Sequence, residues 1–228
     1  PSGGLFTSLD LDSEGNLYFA GKLEDDFDFD PGPGDATLTV SVVNEETFLG
    51  SYDNNLNFRW VQVVGSTLSS SMYPVPNVHV TAYDNVIFTR GLSTVAFKYD
   101  SSGQLIRSYG LTAGISSSER VDVTSNDQED LIFSFRADSN YLMKYSSNGS
   151  SLWTFAFPVD VFFRGSAVAF GLDGDFYASW YLPGGPVDID PSDSTLFYSF
   201  DAREKVIVKY SQPCSGLDTA HVVVNDSI

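Results

Sequence analysis

The chain has 228 residues, 42% of them hydrophobic, a length and composition that bury a sizeable core and exclude a disordered segment. Thirty acidic against 12 basic side chains leave a formal charge of −18, a field that repels phosphate backbones and anionic lipid, so nucleic-acid and membrane-surface partners are disfavoured and the acidity reads as solubility outside the cell or in salty water. Cys214 is the single cysteine and His79 and His221 the only histidines, which excludes an internal disulfide and a cysteine-based zinc site, and no apolar run reaches the ~18 residues of a membrane-spanning helix.

The first predicted strand is apolar, Leu5 to Leu11, and a turn leads into an aromatic strand at Gly15-Asn16-Leu17-Tyr18-Phe19. An acidic insert follows, DDFDFDPGPGDATL at 25–38, and then FLGSYDNNLNFRW, an apolar strand ending at Tyr52, a polar turn and a strand holding Trp60. The same order returns three times. The second copy runs from Val78 to Ala82, through Asp84-Asn85-Val86-Ile87-Phe88, to AFKYDSSGQLIRS with Tyr99. The third runs from Val121 to Thr124, through Glu129-Asp130-Leu131-Ile132-Phe133, to LMKYSSNGSSLWT with Tyr145 and Trp153. The fourth runs from Ala167 to Gly171, through Gly174-Asp175-Phe176-Tyr177, a second insert GGPVDIDPSDSTLF at 184–197, and VIVKYSQPCSGLD with Tyr210. The turns carry Asp, Asn, Ser and Gly, which accept positive φ or bond their own backbone. No apolar pattern of helical period runs for long, so almost no helix is expected.

Two signatures repeating in one register define a four-stranded unit of about 45 residues, the spacing of propeller blades, each of which must stack on neighbours to bury its faces. The predicted fold is all-β: a β-propeller of four four-stranded antiparallel blades, either a closed four-bladed ring or a segment of a larger propeller. The blades are placed at about 3–66, 67–114, 115–160 and 161–216. Residues 217–228 read as the last outer strand, which the strand composition of His221-Val222-Val223-Val224 favours, or as the start of a following segment. The start at Pro1, without initiator Met or signal peptide, and the exit at Ser211–Gly216 read as edges cut from a longer polypeptide.

These residues resemble the SBBP-type β-propeller repeat of large secreted proteins common in Bacteroidetes. Its pattern joins D-x-x-G-N-x-Y-x-x-G, an insert D-F-D-P-G-x-G, and K-Y-D-x-x-G-x-x-x-W. The first copy matches at Asp12 to Gly21, Asp28 to Gly34 and Tyr52 to Trp60; the second and third lack the Asp-Pro insert and the fourth lacks the Trp. The resemblance implies a secreted or surface-displayed protein, often exported by the type IX route, and brings no catalytic residues with it.

The sharpest candidate site is the acidic insert. Asp26, Asp28 and Asp30 alternate like the opening ligands of a calcium loop, and the fourth copy offers Asp188 and Asp190. An EF-hand would need Gly and Glu where Pro31 and Thr37 stand. Two readings stay open: a calcium site on these five carboxylates, or, the favoured one, a solvated face with Phe27 and Phe29 turned inward and no cofactor. Ser146–Trp153 approaches the Asp-box of sialidase-like propellers, with Asn148 for Asp and Gly149 one place early; Trp60 and Trp153 are read as packing between blades. His79 is placed on the innermost strand of the second blade as a structural residue, and no G-x-S-x-G elbow, P-loop or dinucleotide fingerprint is present. Asp10, Asp12 and Asp122 are the acids near the inner strands. The expected function is a non-catalytic secreted or cell-surface module, a scaffold, adhesin or binding domain for protein or carbohydrate. The alternative is a glycan hydrolase or lyase using channel-facing carboxylates.

Overall fold

The computed structural model describes residues 4–40, 45–67, 75–90, 95–111, 121–136, 139–157, 167–171, 174–182, 185–188, 197–200, 204–211 and 219–224. Every regular element among them is a strand. The chain divides into two compact units, Pro1–Thr112 and Ala113–Ile228, each holding two four-stranded antiparallel sheets.

The four sheets carry the labels blade one to blade four in chain order, after the sequence repeat; in the first unit, blade one is β1 (Gly4–Leu11), β2 (Leu17–Leu23), β5 (Glu45–Tyr52) and β6 (Phe58–Thr67), in that spatial order. The insert between β2 and β5 forms a small ribbon, β3 (Phe27–Asp28) with β4 (Thr37–Leu38). Blade two is β7 (Asn77–Val80), β8 (Val86–Thr89), β9 (Val95–Tyr99) and β10 (Leu105–Gly110). In the second unit, blade three is β11 (Val121–Ser125), β12 (Leu131–Arg136), β13 (Asn140–Tyr145) and β14 (Ser151–Phe157). Blade four is β15 (Ala167–Phe170), β16 (Phe176–Leu182), β19 (Glu204–Ser211) and β20 (Thr219–Val224), with the ribbon β17 (Gly185–Asp188) and β18 (Phe197–Phe200) between its second and third strands. β7 stops at Val80, short of the expected Ala82, because Thr81 already opens the next turn.

The strands alternate faces, and the face that each sheet turns to the other sheet of its unit is apolar because the two stack face to face. Tyr18, Ala20 and Leu49 of blade one meet Val78, Val80, Val86, Phe88 and Tyr99 of blade two in one buried cluster, with Trp60 closing its rim. In the second unit Trp153 of β14 stacks on Phe176 of β16 at 5.7 Å, and Phe176 stacks on Tyr210 at 4.8 Å. Both tryptophans therefore lie between blades. The Trp60 indole N–H also donates to Ser101 O of blade two at 3.0 Å.

One five-residue turn joins the strands. At Asp12, Asp53, Thr81, Asp100, Asn126, Ser146 and Gly171 the first residue's N–H donates to the fifth residue's carbonyl, and the fourth residue's N–H donates back to the first. The fourth residue is always left-handed: Gly15, Leu56, Asp84, Gly103, Glu129, Gly149 and Gly174 have φ of 58–86°. In five of these turns a side-chain oxygen at the first position accepts from N–H groups inside the loop. Asp12 Oδ1 accepts from Glu14 N and Asn16 N, and Asp53, Asp100 and Asn126 repeat this pair of bonds.

Candidate functional site

Three places concentrate polar side chains: the acidic insert, the inner edge strands, and the turns at the ends of those strands.

Within the run 26–30 only Phe27–Asp28 is strand. The chain turns at Asp30 because its N–H donates to Asp28 Oδ1, which also accepts Ala36 N at 2.9 Å. Asp26 Oδ1 accepts Val40 N, and Asp30 Oδ1 accepts Gly32 N at 2.7 Å. Each carboxylate thus anchors a stretch of its own loop. Phe29 is 2% exposed within a ring cluster of Phe6, Phe19, Phe27 and Phe48, and Tyr52 OH donates to Phe29 O at 2.7 Å. Burial first, and then the charges of Asp30 and Asp28, hold the Tyr52 hydroxyl above its ordinary pKa, so it stays a donor. The ring cluster covers the face of blade one opposite its contact with blade two. Among the described residues no group of three or more His, Cys, Asp or Glu side chains comes together as a metal site. Asp188 ends β17, opposite Phe197, and Asp190 lies outside the described residues.

β1, β7, β11 and β15 are edge strands, so one side of each backbone lacks a ladder partner. For β7 and β15, side chains from the preceding blade of the same unit supply it. Ser8 Oγ accepts from Val78 N at 3.2 Å and Asp10 Oδ2 accepts from Val80 N at 2.7 Å. Thr7 Oγ1 donates to Pro76 O at 2.7 Å. In the second unit Asp122 Oδ2 accepts from Val168 N at 3.0 Å. Relative to the turns, Asp122 stands where Ser8 does, so one stitch recurs with two residue types. His79 Nδ1 lies 3.4 Å from Asp10 Oδ2. Partial burial raises the Asp10 carboxyl, but the bonds from His79, Val80 N and Leu11 N outweigh it and hold the group below its ordinary pKa.

The first turns of paired blades also meet. In unit 1, Asp84 reaches from blade two to blade one, where its oxygens accept Ser13 N and Ser13 Oγ, both at 2.8 Å. In unit 2 the equivalent residues are Gly174 and Asp127. Glycine cannot reach across, and an open cleft of about 450 Å³ remains between the turns of blades three and four. Sequence reasoning did not single out this cleft. Its only sequence signal is a Gly-Asp pair where the other unit has Asp-Ser, which acquires meaning once the clasp is seen.

No family model matches the sequence, and no curated protein does. Solved structures do. The chain is similar to the Dos1 propeller at a TM-score of 0.50 and 11% identity, over 97% of this chain and 61% of that one. It is also similar to a GH43 glycoside hydrolase, at a TM-score of 0.48 and 13% identity over 96% of this chain and 39% of the other. A third is virginiamycin B lyase from Staphylococcus aureus, at 0.43 and 11% over 100% and 86%. The chain thus spans well under two thirds of the glycoside hydrolase's length. Four-stranded antiparallel sheets stacked on their neighbours, together with the likeness to the Dos1 propeller, define the class as β-propeller. At these identities the likeness concerns the fold alone.

Proposed function

We propose that this chain is a non-catalytic β-propeller module, displayed outside the cell as a scaffold or binding domain for protein or carbohydrate, with each four-stranded sheet acting as one blade. The observation that carries this reading is the use made of the inner-strand carboxylates. Asp10 and Asp122, the acids a channel-facing glycosidase would call on, hold backbone N–H groups of the next blade, and Asp10 also engages His79. Asp12 anchors its own turn through Asn16 and Tyr18. Carboxylates fixed as acceptors stitch the edge strands together and are not poised to exchange protons with a substrate. The acidity and the repeat pattern support display in an extracellular setting.

The test sets binding against turnover. The full chain is incubated with a panel of plant and microbial polysaccharides, and both retention on the polysaccharide and release of reducing ends are measured. Retention without release is expected. Release that disappears in Asp10→Asn or Asp122→Asn would overturn the reading in favour of a glycan hydrolase or lyase.

A further inference from the structure

The geometry points to the cleft between the first turns of blades three and four as a binding site for a neutral glycan. This inference rests on the reading of the chain as a binding module and names the ligand class and the place.

The cleft exists because two residues differ from their counterparts in unit 1. There, the fourth residue of one turn, Asp84, and the second of the other, Ser13, close the gap with two hydrogen bonds. Here Gly174 offers no side chain, and Asp127 stands in the serine's place. Among the described residues the contact of unit 1 has no counterpart, and a carboxylate stands at the opening. The volume, about 450 Å³, falls within the ~300–1,000 Å³ range of small-molecule sites.

The lining has the mixture that a sugar needs. Among the described residues the Asp127 carboxylate bonds to nothing, and Gln128 bonds only through its backbone N–H, donated to Asn126 Oδ1. Asn126 Oδ1 is already taken by that N–H and by Asp130 N, so its side-chain NH₂ is left to donate. A carboxylate and two amides together accept from and donate to hydroxyl groups. Phe170 supplies an apolar wall for the C–H face of a pyranose, and Lys144 Nζ, 5.9 Å from the centre of the Phe170 ring, is held by Asp130 at 3.1 Å. Charge decides between sugars. The chain carries −18 and the cleft itself presents Asp127, so uronic, sialylated and sulfated glycans are repelled.

The test titrates the full chain with cellotetraose, xylotetraose and mannotetraose by calorimetry, up to 10 mM. Parallel incubations are assayed for reducing ends. At least one of the three sugars is expected to bind. Gln128→Ala, at an exposed side chain without partners among the described residues, keeps the melting temperature and weakens binding at least fivefold. The double change Asp127→Ser with Gly174→Asp transplants the unit 1 clasp and weakens it at least tenfold. Leu56→Gly, in the first unit, leaves it unchanged. No binding of any of the three sugars at 10 mM overturns the inference. So does binding that none of the cleft variants alters, and in that case the module reading stands. Release of reducing ends overturns the module reading instead, while a loss of sugar binding in the cleft variants still upholds the site.

Discussion

At the scale of single residues the structure gives the repeat motif a physical meaning. In blade one Asp12 anchors the turn, Gly15 takes its left-handed position at φ 80°, Asn16 Nδ2 and Tyr18 OH both donate to Asp12 Oδ2, and Gly21 leaves room where a side chain would strike the Leu5 carbonyl and the Phe48 ring. The spacing of these residues was readable because each role is local and repeats with the turn. Leu56 departs from this logic. It holds φ 63° where the equivalent turns of blades two and three use Gly103 and Gly149, and it is 62% exposed, so no packing offsets the strain. A left-handed L-residue costs ~1–2 kcal/mol, while glycine loses ~0.4–1 kcal/mol through its freer unfolded chain. Leu56→Gly should therefore stabilise unit 1 by about 0.5–1 kcal/mol in urea denaturation; a loss of stability would show that the strain is absent. Gly103→Ala runs the other way. Its φ is 85° and a Cβ would lie 2.9 Å from the Trp60 ring. A cost of about 2 kcal/mol, with a changed Trp emission spectrum, is expected. The edge-strand stitches were not legible in the same way, because Ser8 and Asp122 do one job with two residue types. The clasp between Ser13 and Asp84 joins residues far apart in sequence, which no local pattern encodes.

At the scale of elements, the acidic insert acts as a cover for blade one. Its aromatic residues were predicted to turn inward, and alternation sufficed to say so: Phe29 is buried and Phe27 half-buried, while Asp26 and Asp28 face solvent. What alternation could not show was the end of the strand at Asp28, which depends on carboxylates capturing N–H groups up to 14 residues away in sequence. The cover buries the apolar side chains that this face of the blade would otherwise leave in water. Phe29→Ala removes a ring that touches Phe19, Phe27 and Phe48, and should cost about 3 kcal/mol with increased binding of a hydrophobic dye. A cost below ~1 kcal/mol would mean that the face is covered by something else. The carboxylates are a separate question with a separate readout. Each has an oxygen committed to backbone, so calorimetric titration with calcium is expected to give no heat and no rise in melting temperature. Asp28→Ala should destabilise the insert equally with and without calcium. Saturable heat that Asp28→Ala abolishes would restore the calcium reading.

At the scale of the whole molecule, charge and turn chemistry pull in opposite directions as pH falls. Repulsion among 18 net negative charges weakens the folded chain at neutral pH, and salt screens it. Several turn carboxylates oppose this. Asn57 and Ser102 side chains donate to Asp53 and Asp100 and, with nearby backbone N–H groups, lower their pKa values below 3.8. In Asp12 slight burial raises the value, but bonds from Asn16, Tyr18 and Glu14 N more than reverse it. A group whose folded pKa is depressed contributes stability that is fully present above its unfolded value, ~3.9, and that disappears as pH falls through the lower folded one. Carboxylates of ordinary pKa (~3.9–4.3) take up protons first and relieve the repulsion. Stability should therefore rise gently from pH 7 to a maximum between about pH 4 and 5, then fall steeply below pH 4. Added salt should flatten the neutral side and leave the acid limb in place. The double variant Asp53→Asn, Asp100→Asn separates the two effects. Asn126 already anchors an equivalent turn with a neutral amide, so the turns survive the change. Two negative charges are lost with it. The double variant should match or exceed the parent at pH 7 in low salt, and its acid limb should be shallower. An acid limb of unchanged slope would mean that carboxylates other than the turn anchors govern acid unfolding.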